Sequence, residues 1–284
     1  MTSQAYAIST YPDVDDVYRR LNALISQPMR PVKPEAMQTY LEYFEKRCQK
    51  SKALTDAAKQ LIPCGVQHNL AFNYPFPIAI EKAEGAHMSD VDGNRYIDFL
   101  QAGGPTVLGS NYAPVREKVL EMLQSCGPVT GLFHEYELKL AELVNRLMPG
   151  IEMFRMLGTG TESVMAAIRA ARAFTKKKYV IKVGGAYHGW SDQMVYGLHV
   201  PGTGRLEAAG IPRGASSCTE EFFPNSLSAL RRHLMFNRLR GGTAAVIVEP
   251  IGPESGTRPV PFDFNQKVRE LCDEFGALLI FDEV

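Results

Sequence analysis

Short apolar runs that alternate with amphipathic helices constrain the fold of this chain most strongly. Four runs have the length and composition of buried strands. They lie at residues 153–157, 179–183, 244–248 and 277–281. Apolar residues recur with helical spacing at residues 163–174 and 266–275. Strands that alternate with helices in this way predict an α/β fold, with a mostly parallel sheet covered by helices on both faces.

Bulk composition is that of an ordinary globular protein. The chain has 284 residues, with 31 basic and 31 acidic side chains, so its formal net charge is zero. A nucleic-acid or acidic-membrane partner would favour a basic excess, so we expect neither. The apolar runs are far shorter than the roughly 20 residues that span a bilayer. The N-terminus lacks a signal-peptide pattern and the five cysteines form no C-x-x-C pair, so we expect reduced thiols, no metal site and a cytoplasmic location.

The pattern along the chain predicts three segments. Residues 1–50 form a helical N-terminal extension, and residues 51–112 form a β-rich segment. In that segment Asp92-Gly93 lies between alternating runs and predicts a hairpin turn. Residues 113–284 form the large domain that holds the parallel sheet. Helices are also expected at residues 13–25, 35–50, 115–123 and 135–147.

Ligands of such sheets bind at the carboxyl ends of the strands, so the residues that follow each strand are the candidates for chemistry. Gly158, Thr159, Gly160, Thr161 and Glu162 follow the first predicted strand and precede a helix. A helix N-terminus offers free N–H groups and a positive dipole end, which bind phosphate. Thr159 and Glu162 have the spacing of a capping box. By itself the pattern fits a plain strand-to-helix turn equally well, and it matches neither a P-loop nor the dinucleotide fingerprint.

The segments after the other strands supply an aromatic ring, a histidine and two carboxylates. Tyr187 and His188 follow strand 179–183. An aromatic ring there can stack on a planar heterocycle, whereas the histidine taken alone is better explained as structural. Glu249 and Asp282 follow the last two strands directly. A buried carboxylate needs a positive partner, which a protonated ring nitrogen would provide, although a helix cap or a structural ion pair explains Asp282 alone equally well.

In combination these segments resemble the class-III aminotransferases, which are fold-type-I pyridoxal-phosphate enzymes. The matching runs are Gly158-Thr-Gly-Thr-Glu, Ala186-Tyr-His-Gly, Val246-Ile-Val-Glu-Pro and Leu279-Ile-Phe-Asp-Glu-Val, in the family's order. The stretch from Glu84 to Phe99 also looks similar to the family's N-terminal segment, so the resemblance runs from about residue 51 to residue 284. It implies the large domain of a fold-type-I transferase, incomplete at its C-terminal side, with pyridoxal phosphate as cofactor.

The resemblance also implies a role for each site residue. The residues it assigns to cofactor binding are Gly160 and Thr161 at the phosphate, Tyr187 and Val284 on the two faces of the ring with His188 beside them, and Asp282 at the ring nitrogen. The residues it assigns to catalysis are Asp282 and Glu254. The family's covalent lysine has no counterpart here, since the last lysine is Lys267.

Within the family, the chain looks most like the glutamate-1-semialdehyde aminomutases, through Pro63-Cys-Gly-Val66 and the Asp-Val-Asp-Gly hairpin. It departs from that branch at three places. These are Leu70 or Ala71 where an arginine is expected, Gly103 where a tryptophan is expected, and Glu254 in place of an asparagine. Without the arginine, a bidentate clamp for a substrate carboxylate is missing. We therefore expect an aminotransferase that acts on a small amino donor and acceptor, with the aminomutase reaction as the alternative.

The resemblance further implies a homodimer. We expect this chain by itself to be inactive, and to be either a fragment of a longer protein or poorly stable. An apolar strand at its end would leave an open sheet edge. A non-catalytic fragment or paralogue that merely binds the coenzyme is a further alternative.

Overall fold

A computed structural model describes residues 11–127, 131–195 and 210–284 of the chain. The chain divides into two units, of which the first comprises Met1–Gln27 with Glu152–Val284 and the second comprises Pro28–Ile151. Helix α1 (Val14–Ile25) belongs to the first unit, although it is far in sequence from the rest of that unit. The division into three segments predicted from the sequence stays a prediction.

The second unit contains a three-stranded antiparallel sheet. Its strands are β1 (Ile80–Glu84), β2 (His87–Asp90) and β3 (Arg95–Ile97), in the order β1-β2-β3. Its helices are α2 (Pro34–Arg47), α3 (Gln49–Ala58), α4 (Ala113–Ser125) and α5 (Glu135–Leu147), with 3-10 turns at Pro63–Gly65, Asn69–Ala71 and Gln101–Gly103. The single helix expected over residues 35–50 is therefore two helices, which meet at Cys48.

The predicted hairpin turn at Asp92-Gly93 is confirmed and lies between β2 and β3. The Asp92 carboxylate accepts hydrogen bonds from the backbone N–H groups of Lys50 and Ser51, at 2.7 and 2.9 Å. These N–H groups belong to the first turn of α3, where they have no partner within the helix. The turn therefore fixes the start of α3 as well as the register of the hairpin.

The first unit contains a four-stranded sheet in which every described pair of strands is parallel. Its strands are β4 (Tyr179–Val183), β5 (Thr219–Phe222), β6 (Thr243–Val248) and β7 (Leu278–Phe281), in the order β5-β4-β6-β7. Its remaining helices are α6 (Gly160–Thr175), α7 (Arg213–Ser216), α8 (Leu227–Arg238), α9 (Pro253–Gly256) and α10 (Phe264–Phe275).

Helices cover both faces of this sheet, as the sequence predicts. On one face, Leu230 of α8 and Val268 of α10 pack with strand residues in a buried cluster. On the other face, Ile168 of α6 packs against Val180 and Ile247. All six residues of β6 are buried, so this strand lies at the centre of the core.

The prediction of a strand at residues 153–157 is wrong. The structure shows no strand there, and Met153 is 91% exposed. A strand is held by hydrogen bonds to a neighbour, and none of the four described parallel strands pairs with this segment. Conversely, β5 was not predicted, because Glu220 and Glu221 at its centre interrupt any apolar run.

We expect Ile247→Ala to lower the free energy of unfolding by about 2–5 kcal/mol, because it leaves a cavity in the central strand. Ile247 is fully buried, at 0% exposure. The matched control is Ile25→Ala on α1, where the side chain is 70% exposed and the change should stay within about 0.5 kcal/mol. Urea unfolding measures both. Equal losses in the two variants would contradict the assignment of β6 to the core.

Candidate active site

Three parallel strands end at one edge of the sheet, and the residues that follow them form the candidate site. Tyr187 and His188 lie beyond β4, Glu249 follows β6, and Asp282 follows β7. The Asp282 backbone N–H donates to the Val248 carbonyl at 2.9 Å, which continues the pairing of β7 with β6. This last ladder bond fixes the backbone from which the Asp282 carboxylate projects.

Helix α6 begins at Gly160 with a defined cap. The Thr159 hydroxyl accepts a hydrogen bond from the Glu162 backbone N–H at 3.1 Å, which is one of the two bonds of the predicted capping box. The Thr161 hydroxyl accepts from the Trp190 backbone N–H at 3.4 Å, which leaves the hydroxyl proton to be donated elsewhere. The free N–H groups of the first turn and the positive end of the helix dipole create a site for an anion.

The loop after β4 packs directly on this first turn at Gly189. The φ of Gly189 is +83°, in the left-handed region that favours glycine. A Cβ atom placed on Gly189 would lie 2.6 Å from Thr161 Oγ1 and 2.7 Å from Thr161 Cα. Only glycine therefore lets the loop and the helix approach this closely, and the approach sets the position of Thr161.

Asp282 is held by a histidine from the loop that follows β4, a strand that does not pair with β7 because β6 lies between them. His188 Nδ1 lies 2.8 Å from Asp282 Oδ2, and the two side chains are 0% and 9% exposed. Burial raises the pKa of the Asp282 carboxyl, but hydrogen bonds from His188 and the Val284 N–H, with the charge of His188, lower it more, so the net pKa is below its usual value.

This depressed pKa determines the direction of the hydrogen bond. An ionised carboxylate can only accept, so Nδ1 of His188 carries the proton and donates it to Asp282. His188 Nε2 is buried and finds no hydrogen-bond partner in the described part of the chain. The arrangement keeps a negative charge at the end of a buried strand, where it can stabilise a cation in the site.

Asp282 borders two cavities. The first, of about 440 Å³, is lined by the residues at the start of α6 and by Val284. The second, of about 330 Å³, is lined by Glu249, Ile251 and Asp282 among others. Val284 is 98% exposed, and a Cβ atom placed on Gly160 would lie 3.7 Å from Val284 Cγ2.

The structure brings most of the sequence-predicted site residues together. The residues joined by the contacts above are Gly160, Thr161, His188, Asp282 and Val284. Tyr187 precedes His188 and is 51% exposed. Glu254 lies in α9, and its side chain lies outside the described part of the structure. The roles assigned to all these residues stay predictions.

Sequence reasoning missed the pairing of His188 with Asp282. The two residues are 94 positions apart, so no local pattern joins them. The available signal was that each lies just beyond a buried strand of one parallel sheet, whose carboxyl ends share an edge.

A family model described as "Aminotransferase class-III" matches residues 70–284. The chain belongs to the class-III aminotransferase family. A curated relative, the glutamate-1-semialdehyde 2,1-aminomutase of Acetivibrio thermocellus, is 40% identical over 240 residues, which cover 83% of this chain and 56% of the relative. The chain thus spans about half the length of the curated relatives it matches.

Solved structures of transaminases share this fold. An omega-transaminase from Sphaerobacter thermophilus has a TM-score of 0.76 and 29% identity, covering 82% of this chain and 55% of its own. A structure described as a transaminase with PLP bound has a TM-score of 0.75 and 30% identity, covering 84% and 55%. The family and such coenzyme-bound neighbours support pyridoxal phosphate as the cofactor, as the sequence predicts.

The residues present fit this cofactor in two respects. The N-terminus of α6 offers a seat for a phosphate, and Asp282 offers an ionised, partly buried carboxylate for a protonated ring nitrogen. Within the described residues there is no group of three or more His, Cys, Asp or Glu side chains suited to hold a metal ion. No described helix of this class-III chain is long and apolar enough to cross a membrane.

We expect Gly189→Ala to destabilise the protein more than Gly93→Ala does. Both residues have a left-handed φ, +83° and +85°, so each alanine meets a backbone penalty of about 1–2 kcal/mol. Only Gly189→Ala adds a clash with Thr161, worth about 1–3 kcal/mol more, because a Cβ atom at Gly93 would have no described atom within 4 Å. Urea unfolding compares the two. Equal effects would contradict the close approach of the loop to α6.

We expect the stabilising effect of the Asp282 carboxylate to vanish in acid. Its folded-state pKa is depressed, so the effect is present above the unfolded pKa of about 3.9 and is lost as the pH falls through the folded value. The free energy of unfolding of Asp282→Asn should therefore lie below that of the wild type at neutral pH and approach it in acid. Urea unfolding across pH measures this. A difference that does not depend on pH would contradict it.

Proposed function

We propose that this chain forms the coenzyme-binding part of a pyridoxal-phosphate-dependent aminotransferase. Such an enzyme moves an amino group between an amino compound and an oxo or aldehyde acceptor. The observation that carries the proposal is the ionised Asp282, held by buried His188 beside the cavity at the start of α6. A carboxylate that is buried, ionised and next to an anion seat suits a ligand with a cationic ring and a phosphate.

The first turn of α6 would bind and orient the phosphate. The backbone N–H groups of Gly160 and Thr161 precede the first backbone hydrogen bond of the helix and so have no acceptor within it, and the Thr161 hydroxyl retains its proton. Gly189 keeps Thr161 in position through direct backbone contact. This seat would bind substrate-free and substrate-bound coenzyme equally, so it contributes to affinity and orientation.

Pyridoxal phosphate, when bound, supplies a protonated ring that accepts electrons from a substrate carbanion. Asp282 would hold the proton on the ring nitrogen, because a carboxylate with a depressed pKa favours the cation next to it. His188 would keep that carboxylate oriented and ionised through its Nδ1–H. Tyr187 and Val284 would cover the two faces of the ring and exclude water, and we assign Glu254 a catalytic role on the family resemblance alone.

We propose this activity for the whole protein, because the matched relatives are longer than this chain. No lysine of this sequence is assigned the role of binding the coenzyme covalently. The proposal includes a small-molecule amino donor and acceptor, a homodimer and a cytoplasmic location. The last is consistent with five cysteines that are all free thiols.

The second candidate function is that of an aminomutase, which isomerises a small amino-aldehyde. The curated relatives with about 40% identity carry the name glutamate-1-semialdehyde 2,1-aminomutase, which favours it. Leu70 or Ala71, where an arginine is expected, and Gly103, where a tryptophan is expected, oppose it. These positions lie close together, since a Cβ atom on Gly103 would be 3.8 Å from Leu70 Cδ1. The departures from the aminomutase pattern therefore fall on one local surface.

We expect the full-length protein to bind pyridoxal phosphate with the absorbance of a lysine-bound coenzyme and to catalyse amino transfer. Asp282→Asn should retain the phosphate seat and bind the coenzyme, but lower kcat/KM by about 10²-fold or more, because the ring nitrogen loses its charge partner. Absorbance titration and coupled assays with a panel of amines measure both. The control is Asp273→Asn, which breaks only an ion pair with Arg269 on α10.

The outcomes separate the candidates. Turnover that requires an added oxo acceptor supports the aminotransferase. Isomerisation of an amino-aldehyde without any acceptor supports the aminomutase. Coenzyme binding without lysine-bound absorbance points to a non-catalytic paralogue, and the absence of coenzyme binding would sink the proposal altogether.

A further inference from the structure

The loop between β6 and α10 contributes to the candidate site and carries Glu254. Its first residue, Glu249, lines the second cavity together with Asp282. The loop reverses direction at Gly252, where φ is +108° and a Cβ atom would lie 2.1 Å from the Arg258 carbonyl oxygen. The outgoing arm of the loop, residues 249–251, therefore lies against its returning arm, residues 258–262. A displacement of one arm shifts the other.

The N-terminal extension reaches the returning arm through two tyrosine hydroxyls, that of Tyr11 just before α1 and that of Tyr18 within α1. Tyr11 donates to the Val260 carbonyl at 2.7 Å, across 249 positions of sequence. Tyr18 donates to the Pro259 carbonyl at 3.3 Å, across 241 positions. The Tyr11 ring also packs edge-on against Phe262, with ring centroids 5.3 Å apart. These contacts lie within one unit of the structure, although the family match begins only at residue 70.

Two asparagines complete the attachment of the loop. Asn225 donates through Nδ2 to the Pro259 carbonyl at 3.0 Å and to the Tyr18 hydroxyl at 3.3 Å. Asn265, in α10, donates to the Pro250 carbonyl at 2.7 Å. The outgoing arm is thus tied to α10, while the returning arm is tied to α1 and to the turn before α8. A proline carbonyl in a loop has no ladder partner, so such side-chain donors satisfy it.

We propose that Tyr11 and Tyr18 of the N-terminal extension are positioning residues for the active site, which hold the β6–α10 loop and hence Glu249 and Glu254 in place. This inference deepens the proposed function and rests on it for its kinetic consequence. A role limited to anchoring α1 predicts something different. In that case, loss of the hydroxyls would free α1 and leave the loop unchanged, because the close contact at Gly252 and the hydrogen bond from Asn265 would be sufficient to hold the loop.

The test is hydrogen exchange of the full-length protein with Tyr11→Phe and Tyr18→Phe, singly and together. Phenylalanine keeps each ring and removes only the hydroxyl, which at Tyr18 is also the acceptor for Asn225 Nδ2, and Asn225 keeps its bond to the Pro259 carbonyl, so the fold is retained. Gly252 and Gly256 donate their backbone N–H groups within the loop, to the Glu249 and Gly252 carbonyls, and report on its opening. We expect their exchange to be about tenfold faster in the double variant, while amides of β4 and β6 exchange as in the wild type.

The matched control is Tyr40→Phe, on α2, where the side chain is 68% exposed. It should change neither set of amides. Loop amides that exchange at the wild-type rate in the double variant would overturn the proposal, and so would equal acceleration of loop and strand amides, which indicates general destabilisation.

A kinetic arm separates this inference from the proposed function. In the active enzyme, the double variant should lose about fivefold to tenfold in kcat/KM and keep the coenzyme absorbance, because the phosphate seat and Asp282 are untouched. Full kcat/KM with a loosened loop would overturn the positioning role. Faster loop exchange in a protein that never binds the coenzyme would instead defeat the proposed function and leave the structural attachment of the loop by α1 in place.

Discussion

The hydrogen bond between His188 and Asp282 is the interaction on which the candidate site depends. It joins the loop after β4 to the residue that directly follows β7, although β6 separates these two strands in the sheet. The bond is possible because the three strands run parallel, so the segments that follow β4 and β7 lie at the same edge of the sheet. In return, it allows a carboxylate to stay ionised at the end of an apolar strand, where burial alone would favour the neutral acid. The arrangement of the strands therefore determines the charge of the site, because it brings His188 to Asp282.

Two glycines convert this sheet edge into a site. At Gly189 the loop after β4 touches the first turn of α6, and at Gly252 the loop after β6 touches its own returning arm. In both places a Cβ atom would clash, with Thr161 Oγ1 at 2.6 Å from Gly189 and with the Arg258 carbonyl oxygen at 2.1 Å from Gly252. Positive φ angles allow the turns, but the close approach is what fixes the neighbouring side chains. Close backbone contacts therefore hold both the first turn of α6, which would bind the phosphate, and the loop whose residue Glu249 lines the second cavity.

The sequence predicted what depends on local pattern. Strands β4, β6 and β7 and helix α10 were expected within one or two residues of their bounds, because continuous apolar runs and helical spacing mark them. Residues 153–157 carry the same pattern but form no strand, since a strand requires a partner. Strand β5 was missed because Glu220 lies in it, and that charge is acceptable only through His233, Asn237 and Arg240, which lie elsewhere in the chain.

Helix α1 has a consequence for how the protein is made. Tyr18 of α1 donates to the Pro259 carbonyl, and Tyr11 just before α1 donates to the Val260 carbonyl, both more than 240 positions downstream. During synthesis from the N-terminus, α1 leaves the ribosome long before its binding surface exists, while the second unit is translated in between. The helix therefore spends most of synthesis without its partner and docks as a late, long-range closure of the chain.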